Sequence, residues 1–136
     1  MPIRTVDLLE MAEQPDARRT PLIDGPQFAA WFHIYKSPGQ HDEMHCHNAD
    51  QVFYCISGEC TMHFPDGGKS VLRPGMAALI TAGSFYQLEN SGAGKMVMLG
   101  TRASSEEAIQ TIGYETRKEL FPRENTTPPR ATSILV

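Results

Sequence analysis

The 136-residue sequence has only three cysteines, a single tryptophan and no uninterrupted apolar run of eighteen residues. Cys46, Cys55 and Cys60 are odd in number, and their spacing matches no zinc or redox motif. A disulfide framework is therefore excluded, and free thiols in a reducing cytoplasm are expected. The first ten residues carry Asp7 and Glu10 and no apolar core of a signal peptide, so neither secretion nor membrane insertion is expected. Basic residues are fewer than acidic ones, 12 against 16, for a net charge of −4, and no basic cluster stands out. The electrostatic footprint of a nucleic-acid binder is missing, and anionic partners are not the first expectation.

What is present is the balance of a soluble globular protein, with 40% apolar and 21% charged residues. The length suits one domain around one core, leaving no room for a second catalytic unit. Thr5 to Glu13 reads as a short helix capped by Thr5, with Val6, Leu9 and Met11 on its apolar side. Gln27 to Lys36 is aromatic and β-branched, alternates Trp31, His33 and Tyr35 against Phe32 and Ile34, and ends at Ser37-Pro38-Gly39. It reads as a strand. Further extended runs, 51–57, 59–64, 69–73, 76–81, 85–90 and 95–102, are separated by glycine- and proline-bearing turns. Turns at this spacing predict an all-β antiparallel sandwich or barrel of roughly eight strands. Ser104-Ser105-Glu106-Glu107 resembles a capping box before a helical run from Ala108 to Ile112, and the proline-bearing stretch from Phe121 to Val136 is expected to cross the surface. Its apolar end, Ile134-Leu135-Val136, is a candidate for docking on the barrel or on a partner subunit.

The chemistry concentrates at His45 and His47. Side chains two apart on a strand point the same way from Cα atoms about 6.5–7 Å apart, so both imidazoles can aim at one point while Cys46 faces away. If the strand runs on without a bulge, the same parity carries Gln51, Phe53 and Cys55 to that face and makes the Gln51 carbonyl oxygen a third donor. His33 is either a structural histidine or a pocket residue that orients a substrate, and His63 alternates outward to the surface. Met96 and Met98 share a face and read as barrel filling. No serine–histidine–acid or phosphate-loop pattern competes.

Gly39, His45, His47, Gln51 and Gly58 stand at the spacing of the first cupin motif, with glutamine in place of its acid. Gly75, Thr81, Gly83, Tyr86 and Asn90 are similar to the second, with Thr81 for proline and Tyr86 for histidine. The chain thus resembles a small single-domain cupin, 1–136, with a motif core at 39–90 and peripheral segments at 1–26 and 103–136. The resemblance implies a double-stranded β-helix, or jelly-roll, barrel of six to eight strands with short peripheral helices, a pocket in its mouth, and a homodimer. It also implies one divalent transition metal, Fe, Zn, Ni, Cu or Mn, held by His45 and His47 with Gln51. Glutamine removes an anion from that set, so metal affinity is expected to fall. Tyr86 is a candidate ligand, hydrogen-bond donor or acid/base residue, and Phe53, His33 and Tyr86 are the expected substrate contacts. Two functions follow from the resemblance. One is a metal-dependent enzyme acting on a small oxygenated or aromatic molecule, dioxygenase-like first, isomerase or lyase next. The other is a non-catalytic small-molecule-binding cupin with a degenerate metal site.

Overall fold

The computed structural model describes residues 3–14, 17–103 and 110–120. One helix, α1 (Leu8–Glu13), precedes β1 (Arg19–Asp24), β2 (Phe28–Tyr35), β3 (His45–His47), β4 (Gln51–Ser57), β5 (Cys60–His63), β6 (Lys69–Leu72), β7 (Ala77–Ile80), β8 (Gln87–Asn90), β9 (Met96–Ala103), β10 (Thr111–Gly113) and β11 (Glu119–Leu120). Among the described residues no helix is long and apolar enough to cross a membrane.

The strands form one sheet in the order β1-β2-β9-β4-β7 and two smaller ones, β11-β10-β3 and β6-β5-β8. Every pairing is antiparallel. Bridges between His41 and Glu89 and between His45 and Tyr86 join the two smaller sheets edge to edge, so the molecule is a two-layered jelly roll. The layers meet over one apolar core: Trp31, Tyr35, Phe53, Met96 and Met98 come from the five-stranded sheet, and Cys60, Met62, Leu72 and Leu88 from the other. Each large side chain buried there contributes about 1.5–3 kcal/mol.

Strand parity explains the sequence pattern. Trp31, His33 and Tyr35 of β2 point into the barrel, while Phe32 and Ile34 point outward and are covered by Ala12, Leu8 and Met11 of α1 together with Val97 and Leu99 of β9. Covered on both faces, β2 is apolar without strict alternation. Two glycines are fixed by their surroundings. Gly58 closes the β4–β5 turn at φ +77°, and a Cβ there would collide with the Lys95 carbonyl. Gly100 of β9 sits in register with both Trp31 and Phe53 and leaves room for their rings.

The structure corrects several expectations. Asp7, not Thr5, caps α1 by accepting from the Glu10 backbone N–H at 3.0 Å, and Leu9 is exposed while Leu8 and Met11 pack inward. β1 was not legible; Pro21 lies in it because it is an edge strand, where a missing N–H does no harm. With β1, β10 and β11, the strands number more than eight. The end of the expected Ala108–Ile112 helix, Thr111 and Ile112, is instead strand β10, its β-branched residues pairing with His47 and Cys46 of β3. The rest of that helix, the capping box and 121–136 lie outside the described residues. Cys46, Cys55 and Cys60 are free and buried. Burial raises all three thiols, Cys60 to about 12, so none is a ready nucleophile.

Candidate metal and ligand site

The mouth of the barrel opens into a cavity of about 1000 Å³. His33, His45, His47, Gln51, Phe53 and Tyr86, the six residues singled out from sequence, all line it. β3 presents His45 and His47 with ring centroids 4.9 Å apart and planes at 85°. β4 supplies Gln51 and Phe53 at the same level, and the Tyr86 ring, just before β8, lies 4.5 Å from that of His45. The His45–Tyr86 bridge, with N–H···O bonds of 2.9 and 2.8 Å, sets the spacing between the two motif halves.

Hydrogen bonds engage the Nδ1 atoms of both histidines. The His45 Nδ1 lies 2.6 Å from the Glu43 carbonyl oxygen, which only accepts, so Nδ1 carries the proton and Nε2 keeps its lone pair. The His47 Nδ1 likewise donates to the Gln110 carbonyl at 3.2 Å, with the Thr111 hydroxyl 3.0 Å away. Burial above all, with His45 and the Arg102 guanidinium nearby, holds His47 down at about 3, so it is a neutral imidazole. The Asp42 carboxylate stands 3.8 Å from His45 Nδ1 and accepts from the Leu88 N–H. Burial raises its pKa.

Gln51 is 2% exposed and spends its amide on Tyr86, Nε2 donating to the phenolic oxygen at 3.3 Å. Its carbonyl Oε1 is buried with no hydrogen-bond partner among the described residues. An orphaned acceptor of this kind costs about 1–3 kcal/mol unless a ligand satisfies it. The Tyr86 hydroxyl is almost wholly buried, and desolvation pushes its pKa well above the usual phenol value. It is a protonated phenol, suited to donating a hydrogen bond and unsuited to being a base.

His33 is buried, and desolvation and the nearby Arg18 lower it to about 3. Its Nε2 has no hydrogen-bond partner, which departs from the structural, hydrogen-bonded alternative. His63 sits on the outer face, 2.8 Å from Glu89, away from the cavity. His41 lines the entrance through its bridge to Glu89.

Sequence reading missed the other half of the cavity. Arg18, Arg19 and Arg102 line it together with Trp31, and the Arg19 and Arg102 guanidinium carbons each lie 4.9 Å from the indole centroid. Parity could have found Arg102, which shares the inward face of Met96 and Met98, and the register places it beside Gln51. The cavity therefore carries a basic wall beside its aromatic one.

The donor set has a definite chemistry. Among the described residues no three His, Cys, Asp or Glu side chains group so as to hold a metal ion. His45, His47 and Gln51 nevertheless line the same cavity, and two imidazoles with an amide oxygen are donor types that imidazole-binding transition ions accept.

A family model described as a cupin domain matches residues 33–101. In solved structures the chain is similar to a Klebsiella pneumoniae protein with a double-stranded β-helix domain, at 18% identity over 80% of this chain and 97% of that one, with a TM-score of 0.66. It is also similar to a cupin 2 domain-containing protein from Halorhodospira halophila, at 19% identity over 75% of this chain and 73% of that one, with a TM-score of 0.62. A Bacillus halodurans protein superposes with a TM-score of 0.68 at 17% identity, over 77% of this chain and 83% of that one. None of the curated proteins compared with the chain matches it. These likenesses carry the fold and leave the activity to be argued from the site.

Proposed function

The chain belongs to the cupin family, and on that premise we propose that its cavity holds one divalent transition-metal ion on His45 and His47, with Gln51 Oε1 as third donor, in an enzyme acting on a small oxygenated or aromatic molecule. The observation that carries this reading is the orphaned Gln51 Oε1 beside two imidazoles whose Nδ1 atoms are already held by carbonyl groups. Carbonyl groups on the far nitrogen are the usual way a protein orients a metal-binding histidine and raises its basicity. Three neutral donors leave coordination positions for substrate, and a bound ion would supply Lewis-acid polarisation or dioxygen activation there. Oxygenation is the first reaction class to test, isomerisation or elimination the next.

The protein's own residues have separate tasks. Gln51 would link the metal position to Tyr86, because its amide donates to the phenol and its carbonyl oxygen is left for a ligand. Tyr86 accepts that bond and keeps its own proton to donate to a substrate oxygen. Phe53 and the buried aromatic wall exclude water and pack the substrate body. His33 presents an unpaired Nε2 for orientation. A second reading, a binding module that turns nothing over, is supported by the lack of an anionic donor among His45, His47 and Gln51.

Gln51→Glu separates the two. Calorimetric titration of chelator-treated protein with Mn(II), Ni(II) and Zn(II) is expected to give binding at least about tenfold tighter in the variant, since a carboxylate restores charge compensation. Equal affinities would mean that position 51 does not face the ion. Binding to neither protein would leave the non-catalytic reading.

A further inference from the structure

We propose that the ligand of this cavity is an organic anion, whose carboxylate is received by Arg18, Arg19 and Arg102 while its apolar body packs on Trp31 and Phe53. The inference deepens the proposed function: it rests on reading the cavity as a small-molecule site and does not require the metal ion.

The chain is acidic overall and has eight arginines, yet three of them line one cavity. β1 and β9 flank β2 on either side, so Arg19 and Arg102 reach the Trp31 indole from opposite neighbouring strands. Arg19 stands in register with His33 and Arg102 with Gln51. Arg18 lies over the Tyr35 ring at 5.7 Å. Guanidinium groups resting on aromatic faces are held in place with little further loss of freedom, and the planar guanidinium matches a carboxylate in geometry and charge.

The cavity is also polarised. Its carboxylates, Asp42, Glu43 and Glu115, come from the segment before β3 and the turn after β10, in the other layer. A ligand with one anionic end is therefore oriented, its charge on the arginine wall and its remainder toward His45, His47 and Tyr86. An organic carboxylate fits better than inorganic phosphate, since the walls between the two charged regions are the aromatic faces of Trp31 and Phe53, packed edge to face with centroids 6.1 Å apart.

Trp31 is the only tryptophan, so its fluorescence reports the arginine wall directly. The test titrates the full-length protein with benzoate, hexanoate, their neutral amides and inorganic phosphate. Saturable changes at concentrations at least about tenfold lower for each carboxylate than for its amide are expected. Arg19→Gln and Arg102→Gln are expected to weaken carboxylate binding by about ten- to a hundredfold while leaving amide binding unchanged and circular dichroism the same. The same titration in the His45→Ala/His47→Ala protein separates this proposal from the metal. A carboxylate preference that survives there supports the arginine wall even if no metal binds. A preference that disappears there but persists in the arginine variants overturns it. So do equal affinities for acid and amide, saturation by phosphate but neither carboxylate, or no response to any probe.

Discussion

Replacing Gly100 with alanine tests how the cavity is built. A Cβ at this position would fall 2.5 and 2.6 Å from Cζ2 and Cε2 of Trp31 and 3.0 Å from Cε1 of Phe53. Carbon atoms in good contact lie about 3.5–4.0 Å apart, so the methyl group overlaps the indole by about 1 Å. Neither ring has room to retreat, because Trp31 is 4% and Phe53 2% exposed. Overpacking of this kind costs about 1–3 kcal/mol. The loss of glycine's freedom in the unfolded chain offsets about 0.5–1 kcal/mol of that. The net expectation is destabilisation by up to about 2.5 kcal/mol, accompanied by a changed Trp31 emission maximum. Urea unfolding followed by both fluorescence and far-ultraviolet circular dichroism measures it, with an unchanged m-value showing that stability alone moved. Were Gly100 facing open space, the same substitution would stabilise the protein. A variant as stable as the parent or more so, with the same Trp31 emission, would refute the placement of the indole over Gly100.

Two further predictions concern buried polar side chains. Asn90 is fully buried; its amide donates to the Tyr35 and Gly94 carbonyls at 3.0 and 2.9 Å, and its Oδ1 accepts from the Gly92 N–H at 3.1 Å. Asn90→Ala is expected to cost about 1–3 kcal/mol by leaving those groups unpaired, and a denaturation midpoint equal to the parent's would contradict that. His33 titrates at about 3 in the folded protein and near 6.5 when unfolded, so below 6.5 the unfolded chain takes up a proton that the folded one refuses. Stability is therefore lost as pH falls through the window from 6.5 to 3. His33→Gln is expected to recover about 1–2 kcal/mol of the loss between about pH 7 and pH 5. Identical pH slopes for the two proteins would show that His33 is not buried in its neutral form.

The motif residues explain how much was legible in advance. Gln51–Ser57 matched its strand at both ends because Gly58 stops it with a backbone geometry only glycine accepts easily. His45 and His47 were found because strand parity is local, and a three-residue strand suffices to aim both rings. β10 was missed because its partner β3 is distant in sequence, whereas β1, a hairpin with the adjacent β2, was missed because Pro21 and the register shift after it break the strand pattern. The arginine wall was missed for a related reason. Net charge describes the whole surface, whereas Arg18, Arg19 and Arg102 are gathered only when β1 and β9 close on either side of Trp31. Tyr86 looked like a weakened ligand position, yet its hydrogen bond from Gln51 makes the two departures from the family pattern a connected pair.

The central claim is that His45 and His47 hold one metal ion, and metal content tests it most directly. Elemental analysis of untagged protein purified without chelator, then reconstituted with Fe(II), Mn(II), Ni(II), Cu(II) or Zn(II), is expected to find about one equivalent per chain for at least one of these ions. The His45→Ala/His47→Ala protein is expected to retain almost none. Metal content equally low in both proteins after reconstitution, or equally high in both, would contradict the account.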